Sequence, residues 1–101
     1  MTRDGVLLSL QRALVGNTSP ALLGTCVQWA TDSITLTHYV GPDLSEDEKD
    51  DLWTVGATVT GDFADDVTID ERFIEVASWS EPLVTHGVWV HLQRGLRTAE
   101  R

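Results

Sequence analysis

The sequence predicts an α+β domain of order α-β-β-α-β-β, with one four-stranded antiparallel sheet and both helices on one face. Three observations carry that expectation. Apolar residues recur at helical spacing in two stretches, residues 4–15 and about 46–60. Between them, two alternating runs flank a two-residue polar turn. Two further alternating, β-branched runs follow the second helical stretch. The chain has 101 residues, the size of one domain spanning 1–101, and is long enough for a modest core without metal or disulfide staples. A composition that is 42% hydrophobic and 23% charged excludes a disordered chain.

The first helix follows Asp4, a plausible N-cap. Leu7, Leu10, Ala13 and Leu14 form its stripe, and Gly16-Asn17 supplies a left-handed stop. Residues 21–30 then change period. Leu23, Thr25, Val27 and Trp29 share one face, and Cys26, Gln28 and Ala30 the other. Thr31-Asp32 makes the turn. From Ser33 to Val40, Ile34, Leu36, His38 and Val40 oppose Thr35, Thr37 and Tyr39, which completes a β-hairpin.

The second helix opens on a capping box, with Ser45 at N-cap and Glu48 at N3. Leu52, Val55, Val59 and Phe63 continue its stripe. Thr54, Thr58, Thr60, Gly56 and Gly61 oppose it in propensity, but the cap and the stripe outweigh them. The Gly56-Ala57 pair would let this helix approach a sheet closely. Asp65-Asp66 opens a loop, and residues 67–69 either extend it or begin a strand. Residues 73–79 read as the third strand and 87–94 as the fourth, with Val88, Val90 and Leu92 inward and Trp89, His91 and Gln93 outward. The tail 95–101 is polar and basic and is expected to fray. Leu7, Leu10, Leu14, Ile34, Leu36, Leu52, Val55, Val59, Val88, Val90 and Leu92 form the expected core. The other sheet face, with Thr35, Tyr39 and Trp89, would stay partly exposed as a possible contact surface.

Chemistry is poorly supported. His86 and His91 stand five apart and point to opposite faces of a strand, and no Cys pair or His-Glu-x-x-His completes a zinc site. Cys26 and His38 lack any marked orienting group or oxyanion site, so Cys26 reads as a small buried thiol and His38 as a partly buried strand residue. The carboxylates sit in runs that look solvated, unlike an acid–base pair in unequal environments. No calcium loop fits, because Gly is missing at position six of each Asp-rich stretch. No glycine-rich phosphate loop occurs. The expectation is therefore no catalytic residue, no cofactor and no metal. The N-terminus reads as an amphipathic helix rather than a signal peptide, and no run nears the ~18 apolar residues of a membrane span. A cytoplasmic chain follows.

The charge is the informative feature. The chain carries −9, and residues 43–71 hold eleven of its sixteen acids against one base, Lys49. That segment sums to −10 and leaves +1 for everything else. Such a field disfavours nucleic acid and anionic lipid and attracts a basic protein. The arginine cluster Arg94, Arg97 and Arg101 is too small to reverse this. Glu46, Asp47, Asp50, Asp51, Asp65, Asp66 and Asp70 are the candidate partner-binding residues, with Trp53 as an aromatic anchor. Three readings compete with a merely solvated face: an inhibitor of a basic enzyme, a mimic of a phosphate backbone, and an accessory or adaptor subunit without inhibitory role. Acids confined to one segment favour the first, because a mimic spreads charge at about one per ~1.7 Å of duplex axis.

Four motifs then point to a family. Leu8-Ser9-Leu10-Gln11-Arg12-Ala13-Leu14-Val15-Gly16-Asn17, the hairpin from Val27-Gln28-Trp29 to Ile34, Leu44-Ser45-Glu46-Asp47-Glu48 and Asp62-Phe63-Ala64-Asp65-Asp66 follow one another in this order. In this the chain resembles the small bacterial proteins that include immunity proteins of contact-dependent growth inhibition and related polymorphic toxin systems. The resemblance spans about residues 5–93. It implies a cytoplasmic, non-enzymatic inhibitor bound to a cognate toxin. It assigns no catalytic residue and no individual contact.

Overall fold

The computed structural model describes residues 2–63, 66–77, 82–93 and 95–100. Asp65, Trp79, Arg94 and Arg101 lie outside them. The elements are α1 (Arg3–Leu14), β1 (Leu22–Trp29), β2 (Ser33–Val40), α2 (Glu46–Asp62), β3 (Thr68–Glu75), β4 (Leu83–Val84), β5 (Val88–Leu92) and β6 (Thr98–Ala99). The fold is α+β, with four strands in the main sheet in the order β3-β2-β1-β5.

Both helices bury their stripes against the same sheet face. Val6, Leu10, Ala13 and Leu14 of α1 and Leu52, Val55 and Val59 of α2 meet Leu22, Val27, Ile34, Leu36 and Val40 in one core. The true cap of α1 is Thr2, whose hydroxyl accepts from the Gly5 N–H at 3.0 Å. Asp4 instead occupies the first turn, where its charge suits the helix dipole. Val6 therefore centres the buried stripe, and Leu7 is only partly buried on its flank. Gly16 takes a positive φ of 79° just past the helix end, as the left-handed stop requires.

The capping box of α2 forms in both directions between Ser45 and Glu48. Its threonines do not break the helix. Thr54 and Thr60 donate back to the carbonyls of Asp50 and Gly56, at 3.1 and 2.8 Å. Ser9 of α1 donates to Asp62 at 2.6 Å, which ties the two helices together.

The sheet is mixed rather than antiparallel. β1 pairs antiparallel with β2 and β5, but β3 lies parallel to β2. The helix between β2 and β3 is the reason. A 17-residue helix returns the chain about 25 Å, to the start of β2, so the next strand must run in the same direction. β3 also begins at Thr68, five residues ahead of the expected 73–79 strand.

Two bulges redirect side chains. A register shift between Leu22 and Gly24 turns Leu22 inward, and Leu23 joins a second, smaller cluster on the opposite face. A shift opposite Thr25 and Cys26 places His91 across from Thr25. Leu92 is thereby displaced from the core and is 37% exposed, while Val88 and Val90 are partly buried. The opposite sheet face is largely covered. Tyr39 is buried there with Leu23 and Leu83, and Val76, Trp89 and Leu96 pack around them. Tyr39 donates to the Val84 carbonyl at 2.6 Å, and the Trp89 indole donates to Thr85 at 2.8 Å. Only Thr35 of the expected trio stays open to a side without a cluster, at intermediate exposure.

The tail corrects a further expectation. Thr98–Ala99 pairs parallel with Leu83–Val84, through Leu83 N–H to Arg97 and Thr85 N–H to Ala99, both 2.8 Å. Those bonds and the packing of Leu96 hold residues that polarity alone would leave fraying.

Gly56 faces β3 so closely that a Cβ there would overlap the Glu71 carboxylate, whereas one at Gly61 would meet nothing within 4 Å. Intrinsic propensity makes either Gly→Ala change favourable by about 1 kcal/mol. Gly61→Ala is expected to raise stability by ~0.5–1 kcal/mol, and Gly56→Ala to lower it by ~1–3 kcal/mol through overpacking, as read by urea unfolding.

Candidate functional site

The acidic segment folds into three separate places. Glu46, Asp47, Asp50 and Asp51 are exposed along the first half of α2. Five residues of helix span about 8 Å, so these four carboxylates crowd two turns. Trp53 lies two residues past Asp51 and is 47% exposed. Asp50 stands one turn before it on the same flank. Asp66 is exposed beyond the far end of α2. Asp70 lies on β3 at a position whose side chain alternates away from the helices, and it accepts from the Arg72 Nε at 2.9 Å. The structure thus brings Glu46, Asp47, Asp50, Asp51 and Trp53 together, and leaves Asp66 and Asp70 apart from them.

Trp53 is held from below by residues the sequence did not mark. Its ring meets Phe73 of β3 with centroids 4.9 Å apart and planes tilted by 59°. The Lys49 ammonium lies 5.4 Å from the Phe73 ring centre, a cation–π distance. The lone base of the acidic run is therefore committed to an aromatic face. Beside it opens a cleft of about 300 Å³, bounded by Val40, Pro42, Leu44, Glu46, Lys49 and Phe73. The signal for Phe73 was its inward position on β3, hidden because the strand itself was placed too late.

Beneath α2 runs a buried polar chain. Thr25 Oγ1 and His38 Nδ1 are 2.8 Å apart, and His38 Nε2 and Glu71 Oε2 are 2.7 Å apart. Thr25 and His38 are fully buried, and the Glu71 side chain is 5% exposed. Not every carboxylate of the run is solvated, contrary to expectation, and His38 is completely rather than partly buried. In the neutral imidazole, Nε2–H donates to Glu71 and Nδ1 accepts from the Thr25 hydroxyl, which satisfies both nitrogens. Hydroxyl, imidazole and carboxylate stand in the order of a nucleophilic triad. Catalysis also needs room for a substrate at the hydroxyl, and Thr25 is fully buried.

Cys26 is buried, and desolvation pushes its thiol pKa up, partly offset by the His86 N–H that donates to its sulfur at 3.5 Å. A protonated, enclosed thiol is a poor nucleophile. Among the described residues no group of His, Cys, Asp and Glu is arranged to hold a metal, and no helix is long and apolar enough to cross a membrane. Hydrogen bonds from the Ser19 side chain, then from Ser45, hold the Glu48 carboxyl below its usual range. A depressed carboxyl stabilises the fold above its unfolded pKa, and that contribution is lost as pH falls through the folded value. NMR titration should find Glu48 titrating below the ordinary glutamate value. Ser45→Ala should move it back up and cost about 1 kcal/mol as a lost cap.

With this geometry in hand, comparison with known proteins adds one finding. The family model of the MafI2 immunity proteins matches residues 3–95. No curated protein matches the chain. The chain belongs to the MafI2 immunity protein family, whose name implies binding of a cognate toxin.

Proposed function

We propose that this MafI2-family protein neutralises a basic toxin domain in the cytoplasm, and that it does so by binding, through the outer face of α2. The observation that supports this most is the pairing of Trp53 with its surroundings. A half-exposed indole braced on Phe73 stands at the end of a two-turn array of Glu46, Asp47, Asp50 and Asp51. Interfaces concentrate their energy in such aromatic anchors, and surrounding charges set the rate and the choice of partner. A basic toxin, such as one that handles nucleic acid, supplies the complementary field. Asp66 and Asp70 extend that field around the domain without adjoining the anchor. The buried Thr25–His38–Glu71 chain has no part in a reaction; the protein acts as a stoichiometric inhibitor.

Stopped-flow association with the toxin domain encoded by the adjoining reading frame tests this. Raising ionic strength from 0.01 to 0.15 M shortens the Debye length from about 30 to about 8 Å. Association should slow by about tenfold or more, and dissociation should change less. Asp50→Lys with Asp51→Lys should slow association by a similar factor and leave unfolding within ~0.5 kcal/mol. Trp53→Ala should cost about 2 kcal/mol of affinity, mostly in dissociation. An association rate indifferent to both salt and charge reversal would reduce the acidic helix to a solvated face.

A further inference from the structure

We propose that the free edge of β3 is where the toxin docks an extended, basic segment, which adds to the sheet as a fifth strand beside Trp53. This rests on the reading that the chain neutralises a basic toxin, and it names the backbone that does part of the binding.

β3 is an outer strand of the main sheet. Its pairing with β2 runs without a shift from Ser33↔Thr68 to Val40↔Glu75. The bonds at its two ends set the phase. Thr68 N–H donates to Asp32 at 2.9 Å, and Val76 N–H donates to Val40 at 2.8 Å. In a parallel ladder alternate residues bond the same neighbour. The amides of even-numbered residues therefore point to β2. Those of Ile69, Glu71, Phe73 and Glu75 point away, with their carbonyls, and no described strand pairs with them.

Exposed edges are ordinarily blunted by proline, charged side chains and above all lysine, inward-pointing charges, bulges or short length. The opposite edge strand, β5, is five residues long and bulged against β1. β3 is eight residues of TIDERFIE, with no proline, no lysine and no bulge; of its four charges Glu71 is bound to His38 and Asp70 to Arg72, and Glu75 deters an acidic strand but not a basic one. Its flanks suit a bound strand. Phe73 and Trp53 offer an aromatic surface on the helix side, and Ile74 is 38% exposed on the other. An added strand places alternate side chains on those two faces, which gives specificity beyond its backbone bonds.

The charges choose the occupant. Asp50, Asp70 and Glu75 are exposed around this edge, and the two bases nearby are engaged, Lys49 with Phe73 and Arg72 with Asp70. A second copy would bring two chains of −9 together at their acidic edges. A strand carrying lysine or arginine meets no such repulsion.

Amide hydrogen exchange on the full chain, alone and with the toxin domain from the adjoining reading frame, decides the matter. The amides of Ile69, Glu71, Phe73 and Glu75 should slow about tenfold or more on binding. Glu75→Pro removes one outward N–H without touching the β2 ladder, and should weaken binding about tenfold. Glu75→Ala loses the same carboxylate but keeps the N–H, so it should weaken binding less than Glu75→Pro, and the gap between the two variants reads the backbone bond. Should Glu75→Pro fail to fold, the exchange of the unaltered chain still gives the answer. A tight, salt-sensitive complex in which those four amides exchange as in the free chain overturns the docking strand and leaves the acidic helix as the interface. The same protection arising at high concentration without toxin assigns the edge to self-association and overturns the toxin segment. Absence of any complex removes the neutralising role, and the docking strand with it.

Discussion

Three strands are joined by one hydrogen-bonded chain, from Thr25 on β1 through His38 on β2 to Glu71 on β3, and Gly56 of α2 packs against its Glu71 end. Each group is buried, and a buried polar group without a partner costs several kcal/mol. That penalty specifies the register of β3. A slip of one residue would turn Glu71 to the far face and leave the His38 nitrogen unpaired in the core. With Glu71 fixed, α2 can approach only where it has no side chain, and Gly56 is that place. Two residues along β3, Phe73 then comes under Trp53 and close to the His38 ring, whose centroid is 5.1 Å away. The position of Trp53 is thus a consequence of the buried chain.

The acidic charges divide according to what the fold can tolerate. Those in the first turn of α2 oppose the positive end of the helix dipole and cost nothing locally. Asp62, at the unfavourable end, is compensated by the Ser9 hydroxyl. Glu71 is withdrawn into the core. What remains exposed on the first half of α2 is not required by packing, and it lies beside a half-exposed tryptophan, which is the surface proposed to meet the partner. Membership in an immunity family supplies the class of that partner.

Much of this was legible in the sequence where a local rule has one dominant cause. Ser45 and Glu48 announced α2, and the Val27-to-Ile34 alternation announced the hairpin. The acids of α2 and Trp53 were legible as a set because helical spacing alone brings them together. β3 was obscured by its own key residue. In Ile69-Asp70-Glu71-Arg72-Phe73 the inward position at the centre is a carboxylate, so alternation reads as broken until His38, 33 positions earlier, is known to lie beside it. The outward turn of Leu92 depended on a bulge that no residue type marks. The tail looked free because its partners are backbone groups of Leu83 and Thr85, which carry no sequence signature. Phe73 and Lys49 belonged to the site only once β3 had its true register.

The central claim is that His38 and Glu71 act as a coupled pair that fixes β3 under α2. A double-mutant cycle with His38→Leu and Glu71→Leu, followed by urea unfolding, measures this directly. Each single change leaves a buried partner unsatisfied and should cost about 3–5 kcal/mol. The double change removes both and should cost less than the sum by about 2 kcal/mol or more. Losses that add to within ~0.5 kcal/mol would show two independent side chains, and would contradict the account.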